Sequence, residues 1–77
     1  MEKYKTKVDI AYDYLMEGLF NGDYMPGDRI IISRLAKENN MSEIPVREAI
    51  CRLESEGYLE LSANQGAIVS RLLQSTE

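Results

Sequence analysis

The residues best placed for chemistry lie in one run, Asn40-Met41-Ser42-Glu43-Ile44-Pro45-Val46-Arg47-Glu48-Ala49-Ile50-Cys51-Arg52-Leu53-Glu54-Ser55-Glu56-Gly57. Arg47 carries its N–H donors in a planar fork that can hold the O6 and N7 of a guanine bidentately or grip a phosphate. Ile44 offers apolar surface of the kind that meets a thymine methyl, and Glu43 an acceptor for cytosine N4. Each has a plainer alternative. Glu43 and Arg47 stand four residues apart in the favourable order for a helical ion pair, and an exposed isoleucine is an ordinary finding. Ser42 suits a helix N-cap, and its hydroxyl and the N–H groups beside it also suit a phosphate.

Such a use requires a helix that packs on one side and is free on the other, and the run supplies it. A helix starting near Glu43 puts Pro45 at its third position, where the missing N–H costs nothing because the first turn has no internal acceptor. Met41 and Val46 are spaced as a hydrophobic staple, and Gly57 is the left-handed stop. Val46, Ala49, Ile50 and Leu53 fall on one face, leaving Ile44, Arg47, Glu48 and Cys51 on the other. Ahead of it, Ile32, Leu35 and Ala36 point inward on a short helix over about 32–39, and Asn39-Asn40 turns the chain into Ser42. The pair reads as a helix-turn-helix. Its second helix is the reader, and Ser33 and Arg34 on the first are placed for contacts to a nucleic-acid backbone.

Upstream, Tyr4, Val8, Ala11, Leu15 and Leu19 recur at helical spacing with Tyr12 flanking, so a first helix is expected from about Lys5 to Phe20, closed by Asn21-Gly22. Gly18 within it costs about 1 kcal/mol relative to Ala and marks close packing against another helix. Tyr24-Met25-Pro26-Gly27-Asp28 is a turn, and Arg29-Ile30-Ile31 a short strand. Tyr58–Ser62 and Ala67–Ser70 read as a hairpin around Ala63-Asn64-Gln65-Gly66, with Asn64 or Gly66 at positive φ, and the first strand should pair with it. The expected fold is α+β, mostly α: a winged helix-turn-helix of three helices plus a small β-wing. The expected core is Leu15, Leu19, Leu35, Val46, Ile50, Leu53, Leu59 and Ile68. Residues 1–70 form the domain, with the helix-turn-helix over about 32–56 and the wing over about 58–70. Residues 71–77 are a tail or the start of a linker.

Composition narrows the function. With 77 residues, 44% hydrophobic and 29% charged, the chain is one small globular domain with little room for a catalytic cavity. One cysteine excludes an internal disulfide or a cysteine-based metal cluster, and the lack of histidine removes the commonest zinc ligand and general base. No enzyme, cofactor or metal is therefore expected. No apolar run approaches the roughly 18 residues of a membrane span, and no signal-type segment follows the first residues, which points to the cytoplasm and away from a membrane. The net charge of −4 has the wrong sign for approaching phosphates. It is unevenly spread, however. Residues 1–28 hold three lysines against six acids, whereas residues 29–66 hold five cations against six, leaving room for a positive ridge of Arg34, Lys37, Arg47 and Arg52.

Several of these residues also carry a resemblance. Pro26-Gly27-Asp28-Arg29, Leu35-Ala36-Lys37-Glu38, the decapeptide Met41 to Ile50, Arg52-Leu53-Glu54, Glu56-Gly57 and Asn64-Gln65-Gly66 together resemble the DNA-binding domain of GntR-type bacterial transcription regulators over about residues 8–70. Pro45-Val46-Arg47-Glu48-Ala49 is similar to the FadR-like branch. The resemblance implies sequence-specific binding of a double-stranded, pseudo-palindromic operator by a homodimer, and regulation of transcription as an effector-responsive repressor. It also implies base or phosphate contacts from Ser33, Arg34, Ser42, Glu43, Ile44 and Arg47, and minor-groove contact from Asn64, Gln65 and Gly66 at the wing tip. Where many members carry arginine, this chain has Glu43, and a family arginine is missing at Ser33 as well. Members carry a C-terminal effector-binding and dimerisation domain absent from these 77 residues, so a small-molecule effector would act through that part, and the chain resembles a DNA-binding fragment or a truncated relative. The rival reading is a winged helix used for protein–protein contact, which the acidic balance favours. A basic surface on the reading helix and wing would argue for DNA, a broad apolar patch for protein.

Overall fold

The computed structural model describes residues 5–62 and 66–70, arranged as α1 (Lys7–Asn21), β1 (Arg29–Ile30), α2 (Ile32–Glu38), α3 (Glu43–Ser55), β2 (Leu59–Ser62) and β3 (Gly66–Val69). This is the winged arrangement expected. Tyr4, Ala63, Asn64 and Gln65 lie outside the described residues.

Helix α1 begins two residues later than its apolar spacing suggests, because Thr6 caps it. The Thr6 hydroxyl accepts from the Asp9 N–H and the Asp9 carboxylate accepts from the Thr6 N–H, each at 3.1 Å, a reciprocal box that satisfies two orphan donors. That backbone bond is the main reason the Asp9 carboxyl lies below its usual range. Gly22 ends the helix at φ 87°. The chain then turns through Pro26-Gly27, with the Asp28 N–H donating to the Met25 carbonyl at 2.9 Å and Gly27 at φ 91°, as a type II turn requires. Gly18 does mark a close approach, but not to a helix. A Cβ there would sit 2.5 Å from the Tyr24 ring, so the glycine admits the aromatic residue of the following loop.

Strand β1 is one residue shorter than expected, because Ile31 is already the N-cap of α2, its carbonyl accepting from the Leu35 N–H at 3.1 Å. Helix α2 stops at Glu38, with Asn39 as its C-cap. Asn40, at φ 54°, is the one non-glycine described residue with positive φ, a conformation asparagine tolerates better than most residues. The Met41 N–H then reaches the Ala36 carbonyl at 2.9 Å. These bonds set the turn between α2 and α3.

The sheet has the order β1-β3-β2, antiparallel throughout, with Ile30 opposite Ala67, Leu59 opposite Val69 and Ser62 opposite Gly66. The expected β1–wing pairing is present. The core contains Ala11, Leu15, Leu19, Ile30, Leu35, Ala36, Val46, Ala49, Ile50, Leu53, Leu59, Ala67 and Val69. Ile68 does not belong to it. In β3 the two-residue period turns Ala67 and Val69 inward, so Ile68 stands half-buried on the other face, in register with Arg29 and Glu60.

Candidate nucleic-acid interface

Helix α3 has the two faces expected of a reader. Val46, Ala49 and Leu53 are fully buried and Ile50 nearly so. Ile44 is 74% exposed, and Arg47, Glu48 and Cys51 are exposed with it. Met41 packs against the core that holds Val46, as a staple would. Gly57, at φ 91°, lets the Tyr58 N–H return to the Leu53 carbonyl at 2.9 Å and ends the helix. Ser42 occupies the N-cap with extended backbone (φ −77°, ψ 175°), but its side chain makes no cap hydrogen bond. Ser42 thus takes the N-cap position its residue type suits without the side-chain bond of a cap.

Arg47 Nη2 donates to Glu43 Oε1 at 3.4 Å, with the two side chains 64% and 45% exposed. The ion pair and the outward orientation therefore coexist: the guanidinium lies on the free side of the helix, tethered on its flank. This guanidinium, the Ile44 side chain and the Ser42 cap share the first half of α3. Ser33 and Arg34 are exposed on the first turn of α2. Arg34 also lines an open cleft of about 340 Å³ whose wall includes Tyr14, Glu17, Asp23, Tyr24, Arg29 and Glu38. At the wing, Gly66 opens β3 at φ 78° and is exposed, one of the two positions expected to need positive φ.

The expected cationic ridge loses a member. Arg52 leans towards α1, with its guanidinium carbon 5.4 Å from the centre of the Tyr12 ring and Nη1 3.7 Å from Asp9 Oδ1. Beside it the Tyr12 hydroxyl donates to Glu56 Oε1. That bond first, then burial, pushes the Tyr12 phenol up to about 12. A second tie joins α1 to α2, where the Tyr14 hydroxyl donates to Glu38 Oε1 at 3.0 Å and raises the Tyr14 phenol in the same way. Burial, ahead of the nearby carboxylates of Glu38 and Asp23, raises Tyr24. Arg52, Tyr12 and Glu56 thus hold α3 against α1, a role that sequence spacing did not suggest. The capping box has a local signal, Thr6-x-x-Asp9, that the apolar spacing passes over, whereas contacts between distant helices leave none.

Among the described residues no group of side chains is arranged to hold a metal ion, and no helix is long and apolar enough to cross a membrane. Comparison with known proteins gives this geometry a context. Residues 7–69 match the family described as bacterial regulatory proteins, gntR family. An uncharacterized HTH-type transcriptional regulator of Bacillus subtilis is 38% identical over 61 residues, covering 79% of this chain and 27% of that protein. The Exu regulon transcriptional regulator of Escherichia coli is 43% identical over 53 residues, 68% of this chain and 20% of that protein. The chain therefore spans about a quarter or less of the length of these relatives. A crystal structure of a GntR family transcriptional regulator from Pseudomonas syringae superposes with a TM-score of 0.77 at 27% identity, covering 87% of this chain and 28% of that one. These are regulatory proteins rather than enzymes, in keeping with the expectation from composition. A family match across most of the chain, on a winged helix whose third helix is free on one side, establishes that the chain belongs to the gntR family of bacterial regulatory proteins.

Proposed function

We propose that the chain binds one specific double-stranded DNA operator in the cytoplasm and regulates transcription from it as an effector-responsive repressor. The observation that carries this reading is the division of α3, with Val46, Ala49 and Leu53 buried while Ile44 and Arg47 stand exposed on the same short helix. In this reading the N-terminal half of α3 enters the major groove. Arg47 takes a guanine edge, Ile44 meets a thymine methyl, and Glu43 lies beside them. Ser42, Ser33 and Arg34 hold phosphates, and Asn64, Gln65 and Gly66 approach the minor groove. One reading helix covers only a few base pairs, so the working unit is a homodimer on a pseudo-palindromic site. Residues 1–70 are the DNA-binding unit and 71–77 the tail or linker towards an effector-binding part. That part, not these residues, receives the small molecule.

Selection from a random duplex pool, with two copies of the chain tethered, tests the reading. Enrichment of paired half-sites, followed by repression of a reporter whose promoter carries the enriched site, is the expected result. Absence of any enriched sequence at low salt overturns it. A second reading, protein–protein contact, draws on Ile10, Tyr14 and Phe20, which are exposed on α1 at 41%, 39% and 73%. That surface lies on α1 rather than on the reading face, and a DNA-silent chain that captures a partner through it would favour the rival.

A further inference from the structure

Glu43 and Arg47 form the one ion pair within α3 among the described residues. Both ends are exposed, so the pair adds little to stability. Glu43 already has a reason to tolerate its place, since an acid in the first turn is favoured by the helix dipole. Neither fact requires its carboxylate to meet this guanidinium. The consequence lies in what Arg47 can do next.

An unpaired arginine at the leading end of a reading helix takes the nearest phosphate, and this sequence-independent contact raises affinity for every duplex. Here the carboxylate travels with the guanidinium, and a phosphate meeting Arg47 also meets the charge of Glu43. A guanine edge carries no formal charge. It occupies two of the five guanidinium N–H donors, leaving others for Glu43 Oε1. The pair can therefore persist on a guanine and is opposed on a phosphate. The effect is larger because α3 holds three acids against two arginines, and Arg52 is turned towards α1.

Resting on the proposed DNA reading, we propose that Glu43 is a specificity-determining residue, holding the Arg47 guanidinium for a guanine edge and opposing its use on phosphate. The test compares the 77-residue chain with its Glu43→Gln, Arg47→Ala and doubly substituted variants. Each is titrated with a duplex enriched by the wild-type chain and with a shuffled duplex of the same composition, over a salt series. Glu43→Gln should strengthen binding to the shuffled duplex about three- to fivefold. It should also steepen the logarithmic salt slope there by about 0.9, as for one added phosphate contact, so that the ratio of affinities for the enriched and shuffled duplexes falls by at least the same factor. In the Arg47→Ala background the gain should vanish. Glu43→Ala repeats the measurement, and thermal melting verifies that each variant is folded. An equal gain with and without Arg47, or no gain on the shuffled duplex, overturns the assignment. If the tethered wild-type chain enriches no sequence, the DNA reading falls and takes this with it. If it does, and Arg47→Ala abolishes the preference while Glu43→Gln behaves as wild type, only the role of Glu43 falls.

Discussion

In the proposed reading, Arg47 is the side chain at which binding and stability separate. Its guanidinium is mostly exposed and its hydrogen-bond partner is Glu43, one turn away. An exposed i,i+4 pair contributes about 0.3–0.5 kcal/mol, and alanine is at least as good a helix former as arginine. Arg47→Ala should therefore leave the thermal midpoint almost unchanged. Loss of a bidentate base contact, by contrast, removes about 1–3 kcal/mol of discrimination per half-site. Melting curves and titrations of enriched against shuffled duplex measure the two effects separately. A variant that unfolds while each folded molecule keeps its preference would make Arg47 structural. The same local spacing made Glu43, Ile44 and Arg47 legible in the sequence, because four residues along a helix fix both neighbour and face. Arg52 was misplaced for the complementary reason. It too is a cation on α3, but its direction is set by Tyr12 and Asp9 on α1, which no local periodicity encodes.

At the scale of elements, tyrosines on α1 tie the other helices in place. The Tyr12 phenol is raised to about 12 by its bond to Glu56, whereas an unfolded tyrosine titrates near 10. A raised folded value means that the stabilisation is fully present below about pH 10 and is lost as pH climbs towards 12. Tyr14 and Tyr24 are shifted in the same direction. Denaturant titrations should show stability falling through that alkaline window, with a shallower fall for Tyr12→Phe; an unchanged slope in that variant would remove the bond from the account. The Gly18–Tyr24 contact supplies a second prediction. Gly18→Ala gains up to about 1 kcal/mol of helix propensity, but its Cβ would overlap the Tyr24 ring, and overpacking costs about 1–3 kcal/mol. The single variant should be destabilised overall, and in a Tyr24→Ala background the same change should be stabilising. Equal effects in both backgrounds would show that the ring yields freely. Both predictions concern contacts that sequence reading missed or misassigned: the glycine was recognised as a close approach, yet the approaching group belongs to a loop. Helix faces were legible because burial has a 3.6-residue period. The register of β3 was not, since choosing between Ile68 and its neighbours Ala67 and Val69 depends on which strands flank them.

For the molecule as a whole, the difficulty is a domain with net charge −4 on a polyanion. The charge is uneven along the chain, since the acids outnumber the lysines two to one in residues 1–28, ahead of the helix-turn-helix. Helix α3 nevertheless carries three acids of its own, and Arg52 is engaged with α1. With Arg47 assigned to a guanine edge, Arg34 and Lys37, both exposed on α2, are the members of the expected ridge left to meet phosphates in the proposed reading. Two such contacts correspond to a logarithmic salt slope of about −2 per copy, shallow for a DNA-binding protein. A single copy should therefore bind weakly even at low salt. Joining two copies through a linker long enough to span both half-sites should raise apparent affinity about 10²- to 10⁴-fold through effective concentration and roughly double the slope. The enhancement should appear on duplexes with two half-sites at the selected spacing and disappear when half a helical turn is inserted between them, because the second copy would then face away from its groove. If tethered copies gain equally on the shifted spacing, the increase reflects charge density rather than paired recognition, and the homodimer on a pseudo-palindromic operator is the wrong description of the working unit.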